Sequence, residues 1–150
     1  MTGNACFTIG VFQDVSWAQR GVDALLRGGF APESLTIIAR ESPAAAQLIE
    51  ATLGGTADRV ELKELGPVVA RGPLVAALQG DDGALARLGL GSTIARAGFQ
   101  RHDGHIFETL AGRGGVLVAV RNERRAADAL ATLHAYGGGN AAIGAYAGRL

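Results

Sequence analysis

Two stretches near opposite ends of the chain carry the same order of features, and this order constrains the fold more than anything else in the sequence. In the first, residues 6–12 (CFTIGVF) form a short apolar run that predicts a buried β-strand. Asp14 follows as a suitable helix N-cap, because its carboxylate can accept hydrogen bonds from the free amides of the first turn. Ala18, Val22 and Leu25 then share one helix face, and a Gly-Gly pair ends the helix before the strand-like LTIIA.

The last third of the chain repeats this strand–helix–strand order. Residues 114–120 (GGVLVAV) predict another buried strand, and a helical pattern and the strand-like NAAIGAY follow it. A shift of 108 positions superposes Asn122 on Asp14 and Leu133 on Leu25. The repeat is one of pattern rather than residue identity, and it indicates an internal duplication.

Two such units predict the architecture. They can share one sheet with their helices on one side, and parallel crossovers are nearly always right-handed, so few arrangements remain. The expected fold is α/β (α+β), a ferredoxin-like sandwich with halves at 6–40 and 98–147 and a Gly/Pro/Ala-rich helical insertion at 41–97. The length of 150 residues suits a single domain over 1–150.

The central segment has the least regular pattern. Ser42 and Pro43 are typical of a helix start, and residues 59–65 (RVELKEL) alternate apolar and charged side chains as a half-exposed strand does. The following GPVVARGPLVAALQGDDGALARL contains two Gly-Pro steps and many small residues, which we interpret as short helices separated by glycines. Small residues allow close helix packing, including packing against a second subunit.

A histidine pair in RHDGHIFE, residues 101–108, raises the question of a metal site. The pattern predicts a helix over 100–112, with Phe99, Ile106 and Leu110 in one buried stripe flanked by Phe107. Three residues at successive i+3 steps drift around a straight helix, so the two histidines and the following glutamate cannot all bind one ion.

A metal would therefore need His102 and His105 together with ligands from elsewhere, and the remaining histidine of the chain is His134. The pair lacks the i, i+4 spacing with an intervening glutamate that zinc hydrolases use. A solvated helix face is the favoured interpretation, and we expect no metal, no cofactor and no catalytic residue.

Four arginines are candidates for binding an anion or small ligand. Arg121, Arg124 and Arg125 gather at the start of the last predicted helix, where free amides and positive charge favour an anion; solvated surface arginines are the alternative. Arg71 is the candidate polar anchor of a cleft between residues 66–74 (GPVVARGPL) and the histidine-containing helix.

Candidate interface residues come from a different argument. Trp17 is a rare aromatic on the first predicted helix, and tryptophan is enriched both in cores and at protein interfaces. Gly72, Pro73 and Leu74 lie in the small-residue segment that is suited to close packing. Because one short chain leaves sheet edges uncovered, we expect a homodimer or higher homo-oligomer.

Charge and composition limit the class of partner. Acidic and basic residues balance at 14 each, so the overall charge does not favour nucleic acid. Cys6 is the single cysteine, which excludes an internal disulfide and fits a reducing compartment. The first residues lack a signal-peptide pattern, and no apolar run approaches the ~20 residues of a membrane span. We expect a cytoplasmic protein.

Three stretches resemble one family. GVFQDVSWAQRGVDALLRGGF is similar to the opening of bacterial general stress proteins of the heat-induced, 17M-like type, and LGPVVARGPLVAAL to their Gly-Pro-rich centre. GFQRHDGHIFETLAGRGGVLVAV resembles their last half, in which an aromatic-Glu pair, here Phe107 and Glu108, precedes a Gly-Gly-Val-Leu-Val strand. The chain departs from the family in a central stretch interrupted by charges and in Gly104. The resemblance implies a stress-linked cytoplasmic protein without an established reaction.

The functional expectation is a non-enzymatic protein that acts by self-association or partner binding. The alternative is a small-ligand or metal-binding protein, an enzyme included, with its site in the cleft between residues 66–74 and the His102/His105 helix.

Overall fold

The computed structural model describes residues 5–121 and 124–146, with side chains over 7–121 and 124–138. Within these residues the strands are β1 Ala5–Phe12, β2 Leu35–Arg40, β3 Asp58–Leu62, β4 Gly66–Arg71, β5 Val116–Arg121 and β6 Gly139–Tyr146. The helices are α1 Val15–Arg27, α2 Pro43–Leu53, α3 Pro73–Gln79, α4 Ala84–Leu88, α5 Leu90–Thr93, α6 Arg101–Gly112 and α7 Ala126–Ala135, with 3₁₀ turns at Pro32–Ser34 and Ile94–Ala97.

The strands form one sheet in the order β3-β4-β2-β5-β1-β6, and every neighbouring pair is antiparallel. β5 lies between β1 and β2, with Phe12 opposite Val116 on one side and Leu35 opposite Val120 on the other. The pairing of β6 with β1 is irregular between Ile9 and Val11. The predicted mixed α/β class is confirmed.

Helices cover both faces of the sheet. The first layer, α1, α2 and α7, packs on alternate strand residues such as Val118 and Val120. The second layer, α3 to α6, packs on the opposite strand residues, such as Leu117 and Ala119. Alternate side chains of a strand point to opposite faces, so the central strands are mostly apolar because both faces are buried. None of the described helices is long and apolar enough to cross a membrane.

The first unit forms as the sequence predicts. The Asp14 carboxylate accepts a hydrogen bond from the Trp17 amide at 2.9 Å and so caps α1. Ala18, Val22 and Leu25 are fully buried against the sheet. Local capping and a 3.6-residue apolar period are sufficient to define this helix.

The prediction of short helices directly after residue 65 is wrong for GPVVAR, because these six residues form the strand β4. A turn containing Glu64 at φ 77° reverses the chain after β3, and β4 then inserts between β3 and β2. Val68 and Val69 are buried on opposite faces of the sheet. β-branched side chains fit a pleated surface buried on both sides, and this sheet position exists only after β2 is present. The insertion at 41–97 is therefore not purely helical.

The buried face of α6 also differs from the predicted stripe. Gly104, Phe107 and Ala111 face the core, whereas Ile106 and Leu110 are half-buried. Phe99, in the preceding loop, is buried and meets Phe107 edge to face, with 5.7 Å between ring centroids. The reason for the rotated face is the contact that Gly104 makes with the neighbouring helix.

Candidate functional site

The site begins with a close crossing of α5 and α6 at two glycines. A Cβ added to Gly104 would lie 2.7 Å from the carbonyl oxygen of Gly91 and would overlap the Ile94 side chain. A Cβ added to Gly91 would lie 2.9 Å from the Glu108 carboxylate. The absence of side chains at both positions is what lets the two helices approach.

A cavity of about 350 Å³ opens beside this crossing, lined by Gly91, Ser92, Ala95, Arg101, His105 and Glu108. The three α6 residues are spaced i, i+4 and i+7, so they fall within an arc of about 60° on the helix. The α5 side contributes only small residues. RHDGHIFE thus does line a cavity, through a different set of residues from the histidine pair.

Glu108 has a structural role in this cavity. Its Oε2 accepts a hydrogen bond from the Gly91 amide at 3.0 Å, and its side chain is half-buried. The bond joins α6 to the first turn of α5. In the aromatic-Glu pair, therefore, Phe107 fills the core and Glu108 connects the two helices.

The other polar side chains of the cavity have unused hydrogen-bonding capacity. Within the described ranges, the side chains of Ser92, Arg101 and His105 form no hydrogen bond or ion pair. By contrast, Arg59 pairs with Glu41 at 3.0 Å. A second, shallower depression of about 560 Å³ adjoins the first and shares two of its residues; it is lined by Gln100, Arg101, His102 and His105.

The three histidines do not converge. The His102 side chain is 69% exposed and lies 3.3 Å from the Asp103 carboxylate, and His105 lines the cavity. His134 is on α7, in the helix layer on the opposite face of the sheet from α6. Among the residues with described positions, no three His, Cys, Asp or Glu side chains are grouped so that they could hold a metal ion.

The predicted cleft between residues 66–74 and α6 is replaced by the α5–α6 cavity. Arg71 instead donates a hydrogen bond from Nη1 to the carbonyl oxygen of Thr56 at 3.1 Å. It lines a separate depression with Gly72 and Pro73 near the 3₁₀ turn at Pro32–Ser34. Arg71 is therefore not the anchor of a site on α6.

Among the arginines before α7, Arg125 has several contacts within its own chain. The Arg125 Nη1 donates to the Gly28 carbonyl oxygen at 2.8 Å, its Nε pairs with Asp128 at 3.2 Å, and its guanidinium lies 4.1 Å from the centre of the Phe30 ring. This side chain connects the start of α7 to the end of α1. Arg121 and Arg124 are exposed. Asn122, which superposes on Asp14 in the sequence repeat, lies outside the described residues.

The candidate interface residues separate into exposed and buried ones. Trp17 is 38% exposed, and the Arg20 guanidinium lies 4.9 Å from its ring centre. Gly72 and Pro73 are half-buried, but Leu74 is fully buried, and its amide donates to the Thr36 hydroxyl at 3.0 Å. Leu74 therefore belongs to the core of its own chain.

The two edges of the sheet differ in charge. The β3 edge carries Asp58, Arg59 and Glu61, and Arg59 pairs with both Glu41 and Glu61 at 3.0 Å. The β6 edge is eight residues long (GNAAIGAY), with no charged residue and no proline. None of the described strands pairs with the outer side of β6. Charges protect a sheet edge from pairing with another chain, and β6 lacks that protection.

No protein-family model, curated protein or solved structure matches the chain. The two features that bear on function are therefore geometric: the outer edge of β6 and the α5–α6 cavity.

Proposed function

We propose that this protein acts by self-association, as a homodimer joined through the outer edges of two β6 strands. The observation that supports this is the contrast between the sheet edges. β3 is short, charged and held in ion pairs, whereas β6 is long, uncharged and unpaired on its outer side in the described part of the chain. An edge of the second kind is a template for another strand.

A second copy of the same chain is the occupant that fits this edge. Most homodimers have twofold symmetry, in which the same surface patch meets itself. A twofold axis perpendicular to β6 makes the two strands antiparallel, and the sheet then continues in the antiparallel pairing of its described strands. An uncharged strand also meets its own copy without like-charge repulsion.

The broader role of this dimer follows from the resemblance to general stress proteins: a non-enzymatic, stress-associated cytoplasmic protein. The single cysteine supports a reducing compartment. The strand order β2-β5-β1-β6, with the crossover helices α1 and α7 on one face, supports a ferredoxin-like unit within the larger sheet. The hairpin β3–β4 then extends that unit at the β2 edge.

The test is the molar mass in solution with charges placed on each edge. Light scattering of the unaltered chain is expected to give twice the 15.3 kDa chain mass. Ala141→Lys and Ala142→Lys, at neighbouring positions of β6, each place a charge on this uncharged strand. The variant that keeps the melting temperature is expected to be a monomer.

Glu61→Lys, on the opposite edge, is the matched control and should leave the dimer intact. A monomeric unaltered chain would refute self-association. A dimer that persists in both folded β6 variants would assign the interface to another surface, of which Trp17 is the first to test.

A further inference from the structure

We propose that the α5–α6 cavity binds a small zwitterion of the free α-amino-acid type, with the ligand carboxylate at Arg101 and its ammonium group at Glu108. This site is independent of the β6 edge, so the failure of either proposal leaves the other standing.

The first argument is charge. The cavity has one cationic and one anionic side chain in its wall, Arg101 and Glu108, seven residues apart on α6. At 1.5 Å per residue their backbones are separated by about 10 Å along the helix axis. The two groups form no ion pair with each other, so each keeps its charge for a ligand.

The second argument is hydrogen-bonding geometry. A guanidinium presents paired N–H donors that match a carboxylate, and Ser92 adds a hydroxyl on the opposite wall. The Glu108 carboxylate is oriented in advance, because its Oε2 is held by the Gly91 amide at 3.0 Å. The Oε1 atom remains to accept from an ammonium group. His105 lies between the two charges as a further polar contact.

The third argument is space. The wall opposite α6 consists of Gly91 and Ser92 of α5 and Ala95 of the following 3₁₀ turn, whose small side chains leave the cavity open. A volume of about 350 Å³ is at the small end of ligand sites, which suits a metabolite of a few heavy atoms. The adjoining depression at Gln100 and His102 offers room for a ligand side chain.

The same charges disfavour the simpler ligands. A lone anion would gain from Arg101 but meet the negative charge of Glu108, and a metal cation would meet the positive charge of Arg101. A ligand that carries both charges is the one that complements both side chains.

The experiment is an NMR titration of the isotopically labelled chain with three probes of similar size. L-alanine carries both charges, propionate lacks the ammonium group, and ethylammonium lacks the carboxylate. L-alanine is expected to shift the amide signals of Gly91, Ser92 and His105 in a saturable way, with a Kd on the order of 1 mM and at least about tenfold below that of either other probe. Equal binding of propionate or ethylammonium, or unmoved amides with all three, would overturn the proposal.

Charge-neutral variants identify the groups. Arg101→Gln and Glu108→Gln should each weaken L-alanine binding by about tenfold or more, since each removes a charge-assisted contact. In Glu108→Gln the side-chain amide oxygen can still accept from the Gly91 amide, so the fold is kept, and the spectrum checks this. Arg113→Gln, an exposed position just after α6, is the control and should bind as tightly as the unaltered chain. Unchanged affinity in either test variant refutes the assignment.

Discussion

The substitution Gly104→Ala sets two well-known effects against each other and shows which one the α5–α6 crossing imposes. Gly104 is the fourth residue of the twelve-residue helix α6, and within a helix alanine is favoured over glycine by about 1 kcal/mol. Propensity alone therefore predicts a more stable protein. The new methyl group, however, would lie 2.7 Å from the Gly91 carbonyl oxygen and overlap Ile94.

The change in the free energy of unfolding depends on which neighbouring atoms can move away from the new methyl group. The Ile94 side chain can change rotamer, but the Gly91 carbonyl belongs to the backbone, so the two helices must separate. Overpacking of a closed core costs typically about 1–3 kcal/mol, and Gly104 is buried. The propensity gain of about 1 kcal/mol offsets part of this cost, which leaves an expected loss of about 0–2 kcal/mol in the free energy of unfolding.

The assay is urea unfolding followed by circular dichroism, with linear extrapolation to water. The matched control is Gly112→Ala at the last position of α6, where the nearest atom to the added Cβ is a Leu65 methyl at 3.5 Å, an ordinary contact. That variant should be neutral or slightly more stable. If Gly104→Ala stabilised the protein as much as propensity demands, the close crossing would be refuted.

Three further predictions concern single side chains. Thr36→Val should cost about 1–3 kcal/mol by urea unfolding, because the buried Leu74 amide loses its acceptor while the side-chain shape is kept. Arg125→Ala should cost about 1 kcal/mol in the same assay, through the loss of its bond to the Gly28 carbonyl at the end of α1 and its stacking on an aromatic ring. Partial desolvation raises the pKa of Asp82, but the hydrogen bond and charge of Arg96 outweigh it and hold that pKa below its ordinary value. The stability that the Asp82–Arg96 pair contributes should therefore be present at pH values above the ordinary aspartate pKa of about 3.9 and be lost as the pH falls through the lower folded-state pKa. Carboxyl NMR titration, with Asp82→Asn as the reference, checks that the pKa of Asp82 is lowered.

Local sequence patterns were sufficient to predict the strands and helices of the two strand–helix–strand units. The Asp14 cap and the apolar face of α1 were readable because capping and helical periodicity involve neighbours within a turn or two. The same holds for α2, where the Ser42 hydroxyl accepts from the Ala45 amide at 3.0 Å. These features depend on residues close in sequence, and they led to the correct mixed α/β class.

The residues of the α5–α6 cavity could be predicted only in part from the sequence. Arg101, His105 and Glu108 have the i, i+4, i+7 spacing of a single helix face, so their alignment was present in the sequence, but the histidine pair was the more conspicuous signal. The opposite wall, Ser92 and Ala95, carries no chemical signal of its own. Its place across the cavity follows from the α5–α6 crossing.

The sequence by itself determined where most strands and helices form, since hydrogen bonding within a turn and the alternation of a strand are local. Tertiary structure alone decided that GPVVAR is a sheet strand, that Gly104 faces inward and that His134 lies across the sheet from His102. Each of these depends on contacts between residues distant in the chain, and the free energy of such contacts outweighs the small local preferences of glycine and proline.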